Sequence, residues 1–120
     1  MKKVEYSQIV RRKLKVLRGR LTSEFGSEVS RKSLKQITDA ARSLEKFAER
    51  GVAVSAMYDI ECDYRYLYVG HNYLFYRIEA DKIIIAEMFD DREDFMYFDN
   101  ITRVHRLLGR VIKNVRKTSG

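Results

Sequence analysis

Two stretches in the N-terminal half repeat apolar residues at helical spacing. Steps of three and four place these residues on one side of each helix. They are Ile9, Val10, Leu14, Leu17, Leu21 and Phe25 in the first stretch, and Leu34, Ile37, Ala41, Leu44 and Phe47 or Ala48 in the second. Ser7 is a favourable N-cap for the first helix, Gly26 ends it, and Ser27 caps the second, which is predicted to end at Gly51. Because the break is so short, we predict an antiparallel helical hairpin.

After Gly51 the pattern changes to that of β-strands. Aromatic and β-branched residues dominate residues 64–69, 73–78 and 83–89, with turns at 70–72 and 80–81. The third segment is apolar almost throughout, which predicts a central strand covered by the helices. Residues 2–6 form a further candidate strand, and residues 52–54 are compatible with an edge strand.

A third helical pattern follows Asn100. Its apolar residues recur at steps of three and four, and basic residues occupy the other side; the apolar set is Ile101, Val104, Leu108, Val111 and Val115. The predicted fold is therefore a single α+β domain over residues 1–120. A helical hairpin packs on a small antiparallel β-sheet, and an added amphipathic helix covers about residues 100–117.

The charges are unevenly distributed along the chain. Residues 1–50 carry a net charge of +8, residues 51–100 carry −7, and residues 101–120 carry +6. Cationic surfaces of this kind attract nucleic acids or acidic protein partners, although many lysines and arginines simply solvate helices.

Several classes of protein are disfavoured by the sequence. Cys62 is the only cysteine, so no internal disulfide forms and a reducing compartment is expected. No signal peptide and no run of about 18 apolar residues is present, which predicts a cytoplasmic protein without a membrane partner. The glycines are isolated, and one cysteine with two distant histidines lacks the spacing of a metal site. We therefore expect no cofactor and no metal.

The remaining candidates for chemistry lie on and around the strands. An arginine in such a strand is expected on the open side of the sheet, where it can bind phosphate, and this applies to Arg65 and Arg77. Arg92 follows the last strand, and His71 lies in a turn with a side chain suited to proton transfer near neutral pH. The alternatives are a solvent-exposed turn histidine and local ion pairs between Arg92 and its acidic neighbours.

The order of these segments resembles the RelE/ParE superfamily of type II toxin–antitoxin systems. The resemblance rests on the end of the second helix and Gly51, and on two motifs: residues 71–78 (HNYLFYRI) with 82–85 (KIII), and residues 92–97 (REDFMY). In the RNA-cleaving branch it implies a ribosome-dependent, metal-independent mRNA endonuclease. Arg92 and Arg77 or Arg65 would stabilise the charge on the phosphate, and His71 or Tyr97 would transfer the proton.

The chain departs from that branch at Tyr73, which occupies the position where an arginine is usual. The resemblance therefore also implies two alternatives. One is a ParE-like inhibitor that binds DNA gyrase without cleaving nucleic acid, and the other is an inactive relative that only binds an antitoxin. A cognate antitoxin is the expected protein partner in each case, with the ribosome and mRNA, or gyrase, as the target.

Overall fold

The computed structural model describes residues 2–58 and 62–93 and shows a helical hairpin on one face of a five-stranded sheet. The strands and helices in chain order are β1 (Lys3–Tyr6), α1 (Gln8–Phe25), α2 (Ser27–Ser43), β2 (Val52–Ala53), α3 (Val54–Tyr58), β3 (Tyr64–Val69), β4 (Asn72–Ile78) and β5 (Lys82–Asp90). A single 3-10 turn, Asp91–Glu93, follows β5. Within the described residues no helix is long and apolar enough to cross a membrane. The predicted helix at 100–117 lies outside them.

The helical hairpin is confirmed, with two corrections. Ser7 caps α1 by accepting a hydrogen bond from the Val10 amide at 3.2 Å, as predicted. Gly26 alone joins the helices, at φ 91°, so it caps α2 and the predicted cap Ser27 is already helical. The prediction that α2 extends to Gly51 is wrong, because the helix ends at Ser43. Of the two candidates for the last apolar position, Phe47 is 65% exposed and Ala48 packs against the core.

The sheet is mixed rather than antiparallel, with the strand order β1-β5-β4-β3-β2. The three strands predicted from 64–89 pair antiparallel, but β1 pairs parallel with β5, with Val4 opposite Ile83. Parallel neighbours need a long connection, and here α1 and α2 lie within it. As a result β5, the strand predicted to be central, lies inside the sheet between β1 and β4. The middle strand of the five is β4.

One face of the sheet forms the core with the helices. The strands contribute Leu67, Leu74, Tyr76, Ile83, Ile85 and Met88, and the helical side contributes Val10, Leu17, Ile37, Ala41 and Leu44. These residues are at most 8% exposed, so burial of their apolar surface is the main force that holds the hairpin on the sheet.

A buried tyrosine binds the segment that follows α2. The Tyr76 hydroxyl donates to the Ala48 carbonyl at 2.7 Å and accepts from the Gly51 amide at 3.0 Å. Beside it, Arg65 donates to the Gly51 carbonyl at 2.8 Å. These bonds hold residues 48–51 in a non-helical path against β3 and β4, which is the physical reason for the early end of α2.

The other face of the sheet carries an aromatic cluster. Ring centroids lie 5.6 Å apart for Tyr66 and Phe75, and 5.4 Å apart for Phe75 and Phe89. At the edge of β5 beyond β1, Lys13 reaches from α1 to Glu87, with Nζ 2.7 Å from Oε1. The same ammonium donates to the Met88 carbonyl and Glu87 accepts from the Met88 amide, so this pair satisfies the polar groups of Met88 beyond the β1 pairing, which ends at Ile85.

We predict that Gly51→Ala lowers the free energy of unfolding by about 2 kcal/mol or more. A Cβ at this position would lie 2.5 Å from the Tyr76 hydroxyl oxygen and 2.8 Å from the Tyr66 carbonyl oxygen. The backbone oxygen cannot move without disturbing the sheet. Urea denaturation followed by circular dichroism measures the effect.

Gly19→Ala is the matched control. Gly19 lies inside α1, and a Cβ there meets nothing within 4 Å. Alanine is the better helix former, so this variant should gain about 0.5–1 kcal/mol. Equal stability of the two variants would show that the contact at Gly51 is not tight.

Candidate functional site

A cleft of about 690 Å³ separates the tip of the helical hairpin from the ends of strands β3, β4 and β5. Its helical wall includes Arg20 and Phe25, and its strand wall includes Tyr68, His71 and Arg92. Phe25 and Tyr68 are exposed by 60% and 52%, which is high for aromatic side chains. The cleft brings together two of the predicted site residues, His71 and Arg92.

The β3–β4 turn presents His71 at the rim of this cleft. Gly70 and His71 are the two connecting residues, with φ of 55° and 63°, as the tight hairpin turn with two left-handed residues requires. Asp91 Oδ2 accepts a hydrogen bond from the Tyr68 hydroxyl at 2.8 Å and lies 2.9 Å from His71 Nδ1. The hydrogen bond to Asp91 raises the pKa of Tyr68, so this phenol loses its proton less readily than a free tyrosine.

Arg92 is held by the aspartate two residues before it. Its Nε and Nη2 each donate to Asp90 at 3.1 Å, a bidentate arrangement, and its amide donates to Asp90 Oδ1 at 2.8 Å. Arg20 approaches the same carboxylate at 3.6 Å. The hydrogen bonds from Arg92 lower the pKa of Asp90, so the carboxylate is charged and offsets both guanidinium groups.

Arg77 lies at the other end of the sheet. It is on the aromatic face, as predicted, with its guanidinium carbon 5.8 Å from the centre of the Tyr64 ring, and it forms an ion pair with Glu79. Arg77 lies six residue steps along the chain from His71, almost all within β4, which corresponds to about 20 Å. Arg77 and the cleft residues therefore cannot contact one phosphate group in this structure.

Arg65 is not on the open side of the sheet, contrary to the prediction. It lies opposite Tyr76 in the β3–β4 pairing and donates to the carbonyls of Glu49 and Gly51 at 3.2 and 2.8 Å. Side chains alternate along a strand, so Arg65 falls on the side of Leu67, which faces the helices. Its guanidinium therefore binds the backbone of the segment after α2. The remaining predicted site residue, Tyr97, lies outside the described residues.

Metal ligands are not grouped in the part of the chain that the structure describes, where no set of three or more His, Cys, Asp or Glu side chains could hold an ion. The chemistry available in the cleft consists of paired charges, one imidazole and two exposed aromatic rings. Such a surface suits recognition of another macromolecule.

A family model, the ParE toxin of the type II toxin–antitoxin system parDE, matches residues 4–95. The chain belongs to the ParE toxin family. Among solved structures, it is similar to a chain from the chromosomal ParDE TA system of P. aeruginosa, with a TM-score of 0.63 and 15% sequence identity. The match covers 75% of this chain and 96% of that one. No curated protein matches the chain.

The ParE-family match contains both walls of the cleft. Sequence reasoning missed the contribution of the helical wall, namely Arg20 and Phe25. Phe25 was assigned to the buried stripe because its spacing fits that stripe. Its position at the last residue of α1, past the end of the covering strands, leaves it exposed instead.

We predict that Arg92→Gln raises the pKa of Asp90 in the folded protein. Arg92 is the main cause of the lowered pKa, and glutamine removes its positive charge. A lowered native pKa stabilises the fold above the ordinary value of 3.8, and this contribution is lost as the pH falls through the native value. Carboxyl-carbon NMR titration of the wild type and the variant measures the change.

The stability difference between the two proteins should accordingly be present near neutral pH and shrink below pH 3.8. Arg31→Gln is a suitable control, because Arg31 pairs with Glu28 on the surface of α2. An unchanged Asp90 titration in Arg92→Gln would mean that the bidentate pair does not persist in solution.

Proposed function

We propose that this ParE-family toxin arrests growth by binding DNA gyrase and inhibiting it, without cleaving nucleic acid. The observation that carries the proposal is the pairing of charges in the cleft. Asp90 accepts from Arg92 and approaches Arg20, while Asp91 is shared by His71 and Tyr68. A catalyst that stabilises negative charge on a phosphate needs cations directed at that charge.

The exposed aromatic residues of the cleft support a protein target. Phe25 and Tyr68 stand on opposite walls, and each wall also carries an arginine, Arg20 on the helical side and Arg92 on the strand side. Aromatic side chains and arginines are the residues that contribute most of the energy at protein–protein interfaces. Their carboxylate partners keep the arginines in fixed positions, so little side-chain entropy is lost on binding.

A cognate antitoxin is the second protein partner of a chain in this family. The basic helix α2, which carries Arg31, Lys32, Lys35 and Arg42 and also lines the cleft, offers a surface that an acidic, extended antitoxin segment can follow. Binding there would block the cleft whenever the antitoxin segment covers the hairpin tip. In this arrangement the antitoxin would neutralise the toxin by covering its cleft, and no nuclease site is required.

Cleavage of mRNA, the function first predicted from the sequence, is the second candidate. One observation favours it, because His71 and Arg92 line the same cleft. In that mechanism His71 transfers a proton and Arg92 stabilises the phosphate after releasing Asp90. The roles of Arg65, Arg77 and Tyr97 in cleavage stay predictions.

The full-length protein should inhibit the supercoiling of a relaxed plasmid by purified gyrase. Phe25→Ala should raise the concentration needed for half-maximal inhibition about tenfold or more, because truncation of an interface aromatic commonly costs about 2 kcal/mol. Phe47→Ala is the matched control. Phe47 has a similar exposure, 65%, but follows α2 at the other end of the hairpin, and it should change inhibition by less than about threefold.

Expression in cells then separates the two candidate functions. Gyrase inhibition predicts relaxed plasmids, filamentation and continued translation at the onset of arrest. Normal supercoiling, together with RNA fragments that end in a 2′,3′-cyclic phosphate, would refute it. Loss of those fragments in Arg92→Ala would then establish the nuclease.

A further inference from the structure

Helix α1 carries an unusual density of positive charge. Residues 8–25 contain six lysines or arginines and one acidic residue, Glu24. Arg11, Lys15 and Arg18 are all exposed, and steps of four and three place them in one line along the helix. We refer to these three residues as the α1 cationic stripe.

The stripe differs from the neighbouring helix in its ion pairs. On α2, Arg31 and Lys32 pair with Glu28, and Lys35 pairs with Asp39 at 2.7 Å. By contrast, no residue of the stripe forms an ion pair within residues 2–58 and 62–93. A surface helix that needs its charges only for solubility would resemble α2.

The helix dipole opposes this distribution of charge. Acidic residues stabilise the first turn of a helix and basic residues the last, but α1 has no acidic residue in its first turn and no basic residue in its last. Arg11 and Arg12 lie instead near the positive end. The positive charge on α1 is thus present at some cost to helix stability, which favours a role in binding.

We propose that the α1 cationic stripe binds the phosphate backbone of double-stranded DNA without sequence preference. From Arg11 to Arg18 the helix rises about 10 Å, a length of duplex that carries about six phosphate charges. Three guanidinium or ammonium groups along that length neutralise up to three phosphates. Exposed, unpaired cations also lose no carboxylate partner when they bind.

The composition of the stripe favours DNA over an acidic protein helix. Between Gln8 and Thr22 the same spacing passes through polar residues only, and the line reaches an apolar residue at Phe25, where the helix ends at the cleft. A protein helix docks through apolar residues with charges at the margin, whereas a phosphate backbone needs only donors and positive charge. Two other exposed apolar residues of α1, Ile9 and Val16, lie on a different line.

The site goes beyond the proposed function and lies outside the cleft. For a toxin that binds gyrase, it adds an attraction to the DNA that gyrase holds. That attraction does not require Phe25, Tyr68 or His71, so the two proposals can fail separately.

The test is fluorescence anisotropy with a labelled random-sequence DNA duplex, titrated with the full-length protein at several salt concentrations. The variant Arg11→Gln/Lys15→Gln/Arg18→Gln should lose tenfold or more in affinity at about 50 mM salt and flatten the salt dependence by about two to three units of slope. The control Arg31→Gln/Lys32→Gln/Lys35→Gln removes the same charge from α2 and should lose less than about threefold. All proteins keep the basic residues at 101–120, and circular dichroism checks that each is folded.

Equal losses in the two triple variants would overturn the proposal, since net charge alone would then explain binding. Absence of wild-type binding at low salt would also overturn it. Competition with polyglutamate distinguishes an acidic protein partner. If polyglutamate binds in a stripe-dependent manner and the duplex does not, the ligand is protein. Gyrase inhibition by the stripe variant, measured on the same preparations, reports separately on the cleft.

Discussion

The hydroxyl group of Tyr76 joins the helical half of this protein to its sheet. It is fully buried and bonds both Ala48 and Gly51, and burial raises its pKa so that it stays a neutral donor. Because Gly51 leaves no space for a Cβ, the segment after α2 approaches β4 as closely as a backbone can. This contact fixes one end of the hairpin. Two helices of about 25 Å then carry its tip over the β3–β4 turn.

That geometry divides the residues that sequence reasoning had grouped. Arg65 and Arg77 lie at the end of the sheet near the tyrosine contact, where they bind loop carbonyls and Glu79. His71 and Arg92 lie at the cleft, where β4 begins and β5 ends. A strand holds its residues at fixed spacing, so these two groups cannot approach one another without loss of the sheet. The cleft is therefore formed together with the helix tip, which supplies Phe25 and Arg20.

Local patterns in the sequence predicted the elements well and their long-range relations poorly. The three antiparallel strands and the capped first helix follow from periodicity and from Ser7 and Gly26, which act over a few residues. The parallel pairing of β1 with β5 depends on residues almost 80 positions apart, and no local signal encodes it. The end of α2 was misplaced for a related reason, since Leu44 and Phe47 fit the helical period while Tyr76 and Arg65 bind the backbone beyond it. In the cleft, adjacent acids were visible, but which cation each one neutralises required the fold.

The two charged surfaces of this chain differ in whether carboxylates neutralise their positive side chains. In the cleft each arginine has Asp90 within reach, so the local field is weak, and the proposed recognition would depend on shape and aromatic contact. On α1 the charges of Arg11, Lys15 and Arg18 add, because no carboxylate among the described residues pairs with them, and their field extends to about a Debye length of 8–10 Å at moderate salt. The net charge of the whole chain, +7, therefore does not indicate how strong the local field is at either surface. The proposed protein partner at the cleft and the proposed polyanion at α1 would not compete for the same side chains, because each surface uses different residues.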